Sequence, residues 1–269
     1  MNPWTNPDLL PLPAAVALAN GFTERAASTE QHALYAALIH AAAPQPGQRW
    51  LDLGCCVGTL THQLAALVGA QGSVVGVDIS AAMISLAHGR QQHPALRFIQ
   101  ADATHLPPDL APFDGVTAMR LLLHVPDPLA VLQAARQAVK PGGRLVVLEW
   151  DWGTLALDHP NRTMTRRILD WRCDYLHGDN WMGRKLAGLS AASGWDVLEI
   201  QAHVTIARQE PSGLINSLRH AADAAHQAGV VSPIEYTDWL AELDAGLANR
   251  RFFASMNDYL VVAEAGATS

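Results

Sequence analysis

Short apolar runs recur through the first half of the chain: RWLDL (49–53), GSVVGVD (72–78), ALRFIQ (95–100), FDGVTAMR (113–120) and GRLVVLEW (143–150). They lack the apolar-polar alternation of a half-solvated strand, so they read as strands buried on both faces. Helical signals fill the gaps. One helix is expected from Gly58, and a second follows Ser80, a good N-cap, and runs to Pro94. A third has Asp127 as cap and Pro128 in its first turn, and KPGG (140–143) ends it. Such alternation folds as a parallel sheet with helices on both faces, and ligands of such sheets sit beyond the strands' carboxyl ends, where the strand order reverses.

The flanks extend this plan. Glu24 to Ala43 reads as an amphipathic helix, and 160–193 as two helices joined by HGDNWMG (177–183). A strand over 195–207, helices over 211–228 and 233–249, and a last strand over 252–265 complete the reading, the last strand being a candidate antiparallel partner. With 269 residues, one elaborated domain is expected: a helical cap (1–47), a core (48–152), a helical lid (153–194) and C-terminal strands (195–269) with a helical insertion at about 211–249.

Composition narrows the partners. A net charge of -7 supplies no field for a phosphate backbone, so nucleic acid is not expected, and the arginines of RTMTRR (162–167) read as a solvated face. The first residues carry no early Lys or Arg, and Pro11 and Pro13 break their apolar run, which fits neither a signal peptide nor a membrane span; a cytoplasmic location is expected. Three cysteines, Cys55, Cys56 and Cys173, lack the spacing of a zinc site or a disulfide framework, so no metal is expected. Soft-metal binding by the three thiols conflicts with two of them lying inside a ligand loop.

That loop is LDLGCCVG (51–58). A glycine-rich turn between strand and helix brings backbone N–H groups and the positive helix end to a ligand. A dinucleotide fingerprint requires G-x-G-x-x-G, and counting from Gly54 only the first glycine falls in register. This argues against a nicotinamide-dependent oxidoreductase. Asp52, just before the turn, argues for a ligand with positive charge.

LDLGCCVG, VVGVDIS, ADATHLP, FDGVTAMRLLLHVPDP and VKPGGRLVVLEW, in that order and spacing, resemble the successive motifs of class I S-adenosylmethionine-dependent methyltransferases. GRKLAGLSAASGW resembles a segment of the ubiquinone-biosynthesis-type and natural-product small-molecule members. The resemblance implies a Rossmann-like, doubly wound α/β fold, with a mostly parallel seven-stranded sheet, an antiparallel last strand, and helical N-terminal and lid insertions. S-adenosyl-L-methionine is the implied cofactor. Gly54, Cys55 and Gly58 would line its methionine portion, with Asp52 acting on the ammonium; Asp78 would accept the ribose hydroxyls; and Ile79 and Met83 would pack on the adenine. Asp102 would accept from the exocyclic amine, the Ala103 N–H would meet a ring nitrogen, and Arg120 would offer its carbonyl. Cys56 departs from the family, which more often has glycine there. Taken singly, Asp78 also reads as a helix cap, Asp102 as a turn residue and Met83 as core.

Methyl transfer needs a nucleophile aligned with the C–S bond, water excluded, and for an acidic acceptor a base. His124 and Asp151 are the candidates for that base. His124 also reads as a packing residue. Strand alternation in LEWDWG puts Glu149 and Asp151 on one side and Trp150 and Trp152 on the other. Trp150, Trp152, Tyr175, His177 and Trp181 form the expected contacts to an aromatic or polyketide-like small molecule, with Trp4 helping to form a lid. The alternative is a relative that binds S-adenosylmethionine without methylating. The acceptor atom and the oligomeric state stay open.

Overall fold

A computed structural model describes residues 28–266 except 91, 92 and 111, and, before them, residues 8, 13, 14, 16, 17 and 19–21. Trp4 and the expected helix start at Glu24 lie outside the described residues. Helix α1 spans Thr29–Ala42, begun by Ser28, whose hydroxyl accepts from the Gln31 N–H at 3.3 Å, and ended by Ala43 in the left-handed region. There follow β1 (Arg49–Leu53), α2 (Thr59–Val68), β2 (Ser73–Asp78), α3 (Ala81–Gly89), β3 (Leu96–Gln100), β4 (Phe113–Met119), α4 (Pro128–Ala138) and β5 (Val139–Leu157). The chain continues through α5 (Arg162–Tyr175), α6 (Met182–Ala192), β6 (Trp195–Ala207), α7 (Gly213–Gln227), α8 (Pro233–Ala248) and β7 (Ala254–Ala265). Among the described residues no helix is long and apolar enough to cross a membrane.

The seven strands form one sheet in the order β3-β2-β1-β4-β5-β7-β6, parallel except for an antiparallel β7. The expected α/β architecture is what the chain adopts. The order runs outward from β1 through β2 to β3 on one side and through β4 to β5 on the other, so it reverses between β1 and β4. Sheets of this order bind ligands beyond the carboxyl ends of the strands at that point.

Several expected boundaries move, and β5 runs on to Leu157, into the segment expected as a helical lid. The third helix stops at Ala138, and KPGG belongs to β5: between Phe113 and Gly115 the register advances from Val139 to Arg144, so Lys140 to Gly143 form an irregular bulge. The Lys140 ammonium closes on Asp114 at 2.7 Å beside it. Helix α3 ends at Gly89, before Pro94 is reached, with the Arg90 N–H turned back onto Ala87. Strand β4 ends at Met119 because Arg120 adopts φ 55.

The chain groups into two compact units: Met1–Glu149 with Lys185–Gln201 and Leu260–Ser269, and Trp150–Arg184 with Ala202–Tyr259. Residues 153–184 of the expected lid fall in the second and 185–194 in the first. In the first, Trp50, Leu38, Leu64 and Phe98 pack on the sheet. In the second, Trp239 is fully buried, stacks on His159 with centroids 5.0 Å apart, and donates its indole N–H to the Thr165 hydroxyl.

Candidate active site

The first unit holds the loop after β1. Gly54, Cys56 and Gly58 all have positive φ, at 68°, 49° and 83°. The loop is tied to β2 by the Cys55 N–H on the Val77 carbonyl at 3.0 Å and by the Cys56 N–H on Asp78 Oδ2 at 2.9 Å. A Cβ on Gly58 would come within 2.6 Å of the Phe98 ring. We expect Gly58→Ala to cost on the order of 2 kcal/mol, from left-handed strain and a clash within a packed core. Urea unfolding checks it. Cys56 accepts the same strain without being glycine, and its sulfur lies 3.7 Å from that of Met83. Burial pushes its thiol up to about 12, and that of Cys55 well above the usual range.

Asp52 is 2% exposed, and its two oxygens accept from the hydroxyls of Thr61 at 2.7 Å and Thr117 at 2.9 Å. Among the described residues no cation reaches it. Burial raises its carboxyl to about 6, against the lowering effect of the two hydroxyls. Asp78, ending β2, accepts from the Cys56 N–H on one oxygen and from the Ser80 N–H, at 2.9 Å, on the other. Burial raises its carboxyl too.

Ile79 follows at 45% exposure, and Met83 is buried in the first turn of α3. Beyond β3, Asp102 is exposed and accepts from the Thr104 N–H and hydroxyl through one oxygen, the N–H bond holding it below the usual carboxylate range. Ala103 is beside it. Arg120 leaves β4 with its N–H on the Leu148 carbonyl at 2.8 Å and Nη1 on Gln31 at 2.9 Å. His124 ends the short turn that follows, and the Leu122 N–H of this turn donates to Glu149 Oε1 at 2.6 Å. All the expected cofactor residues therefore lie at the carboxyl ends of β1 to β4.

In the second unit, Asp151 is fully buried and bidentate to Arg184, with Nε at 2.6 Å and Nη2 at 2.8 Å. Trp150 and Trp152 meet edge to face at 6.1 Å, Tyr175 stacks on Trp171 at 6.2 Å, and Arg184 lies over Trp181 at 4.3 Å. Burial, then nearby positive charge including Arg172, lowers the His177 imidazole. Thr61, Thr117, Arg172, Asn180 and Arg184 were not singled out from the sequence, since their partners are fixed by the fold and no motif spacing announces them.

A mostly parallel sheet with a glycine turn after β1, a carboxylate ending β2 and another just past β3 is the arrangement of the S-adenosylmethionine-binding class of α/β enzymes. The methyltransferase-domain family profile matches residues 44–177. The chain is 32% identical over 247 residues to an uncharacterized 37.1 kDa protein in transposon TN4556 of Streptomyces fradiae, covering 91% of this chain and 70% of that protein. It is 40% identical over 114 residues to the ubiquinone/menaquinone biosynthesis C-methyltransferase of Coxiella burnetii, covering 41% of this chain and 46% of that enzyme, so the match spans under half of that relative. The solved structure of a proposed methyltransferase from Bacillus halodurans shares the fold at TM-score 0.61 and 17% identity, covering 87% of this chain and 99% of that one. The chain belongs to the class I S-adenosylmethionine-dependent methyltransferase family, whose cofactor is S-adenosylmethionine.

The residues fit that cofactor. A carboxylate offers about four acceptor positions. Asp78 uses two of them on backbone N–H groups, which leaves one on each oxygen for a pair of ribose hydroxyls. Asp102 Oδ2 accepts from no described residue.

Proposed function

We propose that this chain transfers the methyl group of S-adenosylmethionine to a small aromatic or polyketide-like acceptor. The observation that carries the reading is the pair of carboxylates ending β1 and β2: Asp52, buried with hydroxyl partners alone, suits an ammonium group, and Asp78 retains acceptor positions for a diol. When bound, the cofactor supplies an electrophilic methyl carbon on a sulfonium. Gly54, Cys55 and Gly58 bring the loop backbone to its methionine portion, Ile79 and Met83 pack on its adenine, and Asp102, the Ala103 N–H and the Arg120 carbonyl fix its polar edges.

His124 is the proposed base that takes the acceptor's proton. Asp151, the other candidate, has both oxygens committed to Arg184 and serves as a base only if that pair opens. Trp150, Trp152, Tyr175, His177 and Trp181 are the proposed acceptor contacts. A small-molecule acceptor, with no nucleic acid, is supported by the quinone-pathway relative and by the net charge of -7. Three free cysteines accord with a cytoplasmic location.

Calorimetric titration with S-adenosylmethionine, followed by transfer of a labelled methyl group to a panel of phenols and hydroquinones, tests the reading. Folded protein that shows no binding at millimolar cofactor defeats it. His124→Gln is expected to lower kcat about 100-fold while leaving cofactor affinity unchanged.

A further inference from the structure

Arg172, on α5, is 7% exposed, yet among the described residues no carboxylate lies within ion-pair distance of it. Its guanidinium carbon sits 3.2 Å from the centroid of the Trp152 ring, and Nη1 donates to Asn180 Oδ1 at 2.7 Å. The Asn180 amide is fixed in that orientation, because its Nδ2 donates to the Leu176 carbonyl at 2.5 Å and to the Arg172 carbonyl at 3.3 Å. The opposite edge of the guanidinium is different. Nε is buried and donates to no acceptor, and Nη2 donates to no described residue. The indole N–H of Trp152, 2% exposed and part of the same stacked pair, also lacks an acceptor.

Buried donors are nearly always paired, and a buried charge is kept where something compensates it. A cation over an indole face is compensated only in part. Asp174, Asp151 and Asp170 lie around the neighbouring Cys173, but none pairs with Arg172, and Asp151 is held by Arg184. Among the described residues the Arg172 charge is therefore left without an ion-pair partner, on a planar edge whose two parallel N–H groups match the two oxygens of a carboxylate. Single charge and planar fork together favour a monoanionic carboxylate over phosphate.

We propose that the second unit binds an organic carboxylate on the Nε–Nη2 edge of Arg172, with Trp152 and Asn180 holding the guanidinium in place. The inference deepens the assignment of ligand contacts to Trp152 but does not depend on methyl transfer. It is tested without cofactor, so its failure and that of the methyltransferase reading are separate results.

The probe is benzoate, titrated into full-length protein carrying 15Nε-labelled arginine, with benzamide and inorganic phosphate as parallel arms. The Arg172 Nε–H signal, assigned by its loss in Arg172→Lys, is expected to shift saturably with benzoate and not with benzamide. Arg172→Lys is expected to weaken benzoate binding at least tenfold, since a point charge cannot reproduce the fork. Trp152→Phe keeps the stack, removes the indole donor, and is expected to weaken binding a few-fold while the protein stays folded; it carries the mutational test should the lysine variant not fold. No arginine Nε–H shift in wild-type protein at tens of millimolar benzoate overturns the proposal. An equal shift with benzamide, or a shift with phosphate alone, overturns it as well.

Discussion

Asp78→Ala is expected to lower affinity for S-adenosylmethionine about 1000-fold, the largest binding effect of any single change in the first unit. A hydrogen bond to a charged group contributes about 1.5–3 kcal/mol, and the two such bonds proposed to the ribose would be removed together. The variant also releases the Cys56 N–H, which Asp78 holds at 2.9 Å, so the turn loses its tie to β2. The start of α3 survives, because the Ser80 hydroxyl still accepts from the Met83 N–H at 3.2 Å. Circular dichroism should therefore be unchanged while calorimetry shows the loss. Asp102→Ala, which removes an exposed carboxylate bonded to Thr104, is the milder control, expected near tenfold. An Asp78→Ala protein that binds cofactor within a few-fold of wild type would remove Asp78 from the site.

Asp52→Asn is expected to stabilise the protein and impair it together. The folded-state carboxyl titrates at about 6 against an ordinary 3.8. Below pH 3.8 it is protonated in both folded and unfolded chains, and its burial carries no charge penalty. As pH rises toward 6, the unfolded chain releases the proton first, so stability falls, and above 6 the loss is complete at about 3 kcal/mol. Asparagine is neutral throughout and retains partners in Thr61 and Thr117. It should raise unfolding free energy at pH 7.5 by up to about 3 kcal/mol and remove this group's slope between pH 4 and 6. Cofactor affinity should drop with it, because the charge proposed to face the ammonium is gone, and wild-type affinity should decline below pH 6. Urea melts and calorimetry at pH 5 and 7.5 decide it. A variant destabilised at pH 7.5 contradicts the account.

Strands β1 to β4 were legible to within a residue or two because each is an apolar run that only a doubly covered sheet can bury. Ser80 and Asp127 were legible as caps because their side chains bond within three residues, to Met83 and Ala130. KPGG signals a helix stop in the sequence yet forms a strand bulge, because proline and glycine mark both alike. At the candidate site, motif order groups Gly54, Asp78 and Asp102, and the structure places them at or just past the carboxyl ends of β1, β2 and β3. The hydroxyls on Asp52 come from nine and 65 residues away, and the guanidinium on Asp151 from 33 away. No local spacing encodes such partners; the sheet order and the helix packing create them.

The sulfur at position 56 has a chemical consequence. On the proposed reading, a soft nucleophile lies in the loop that meets an alkylating cofactor, and as an anion it would compete for the methyl group. Burial pushes the Cys56 thiol up to about 12, which keeps it in the weakly nucleophilic protonated form at neutral pH. Slow modification by thiol-directed reagents is the expected consequence.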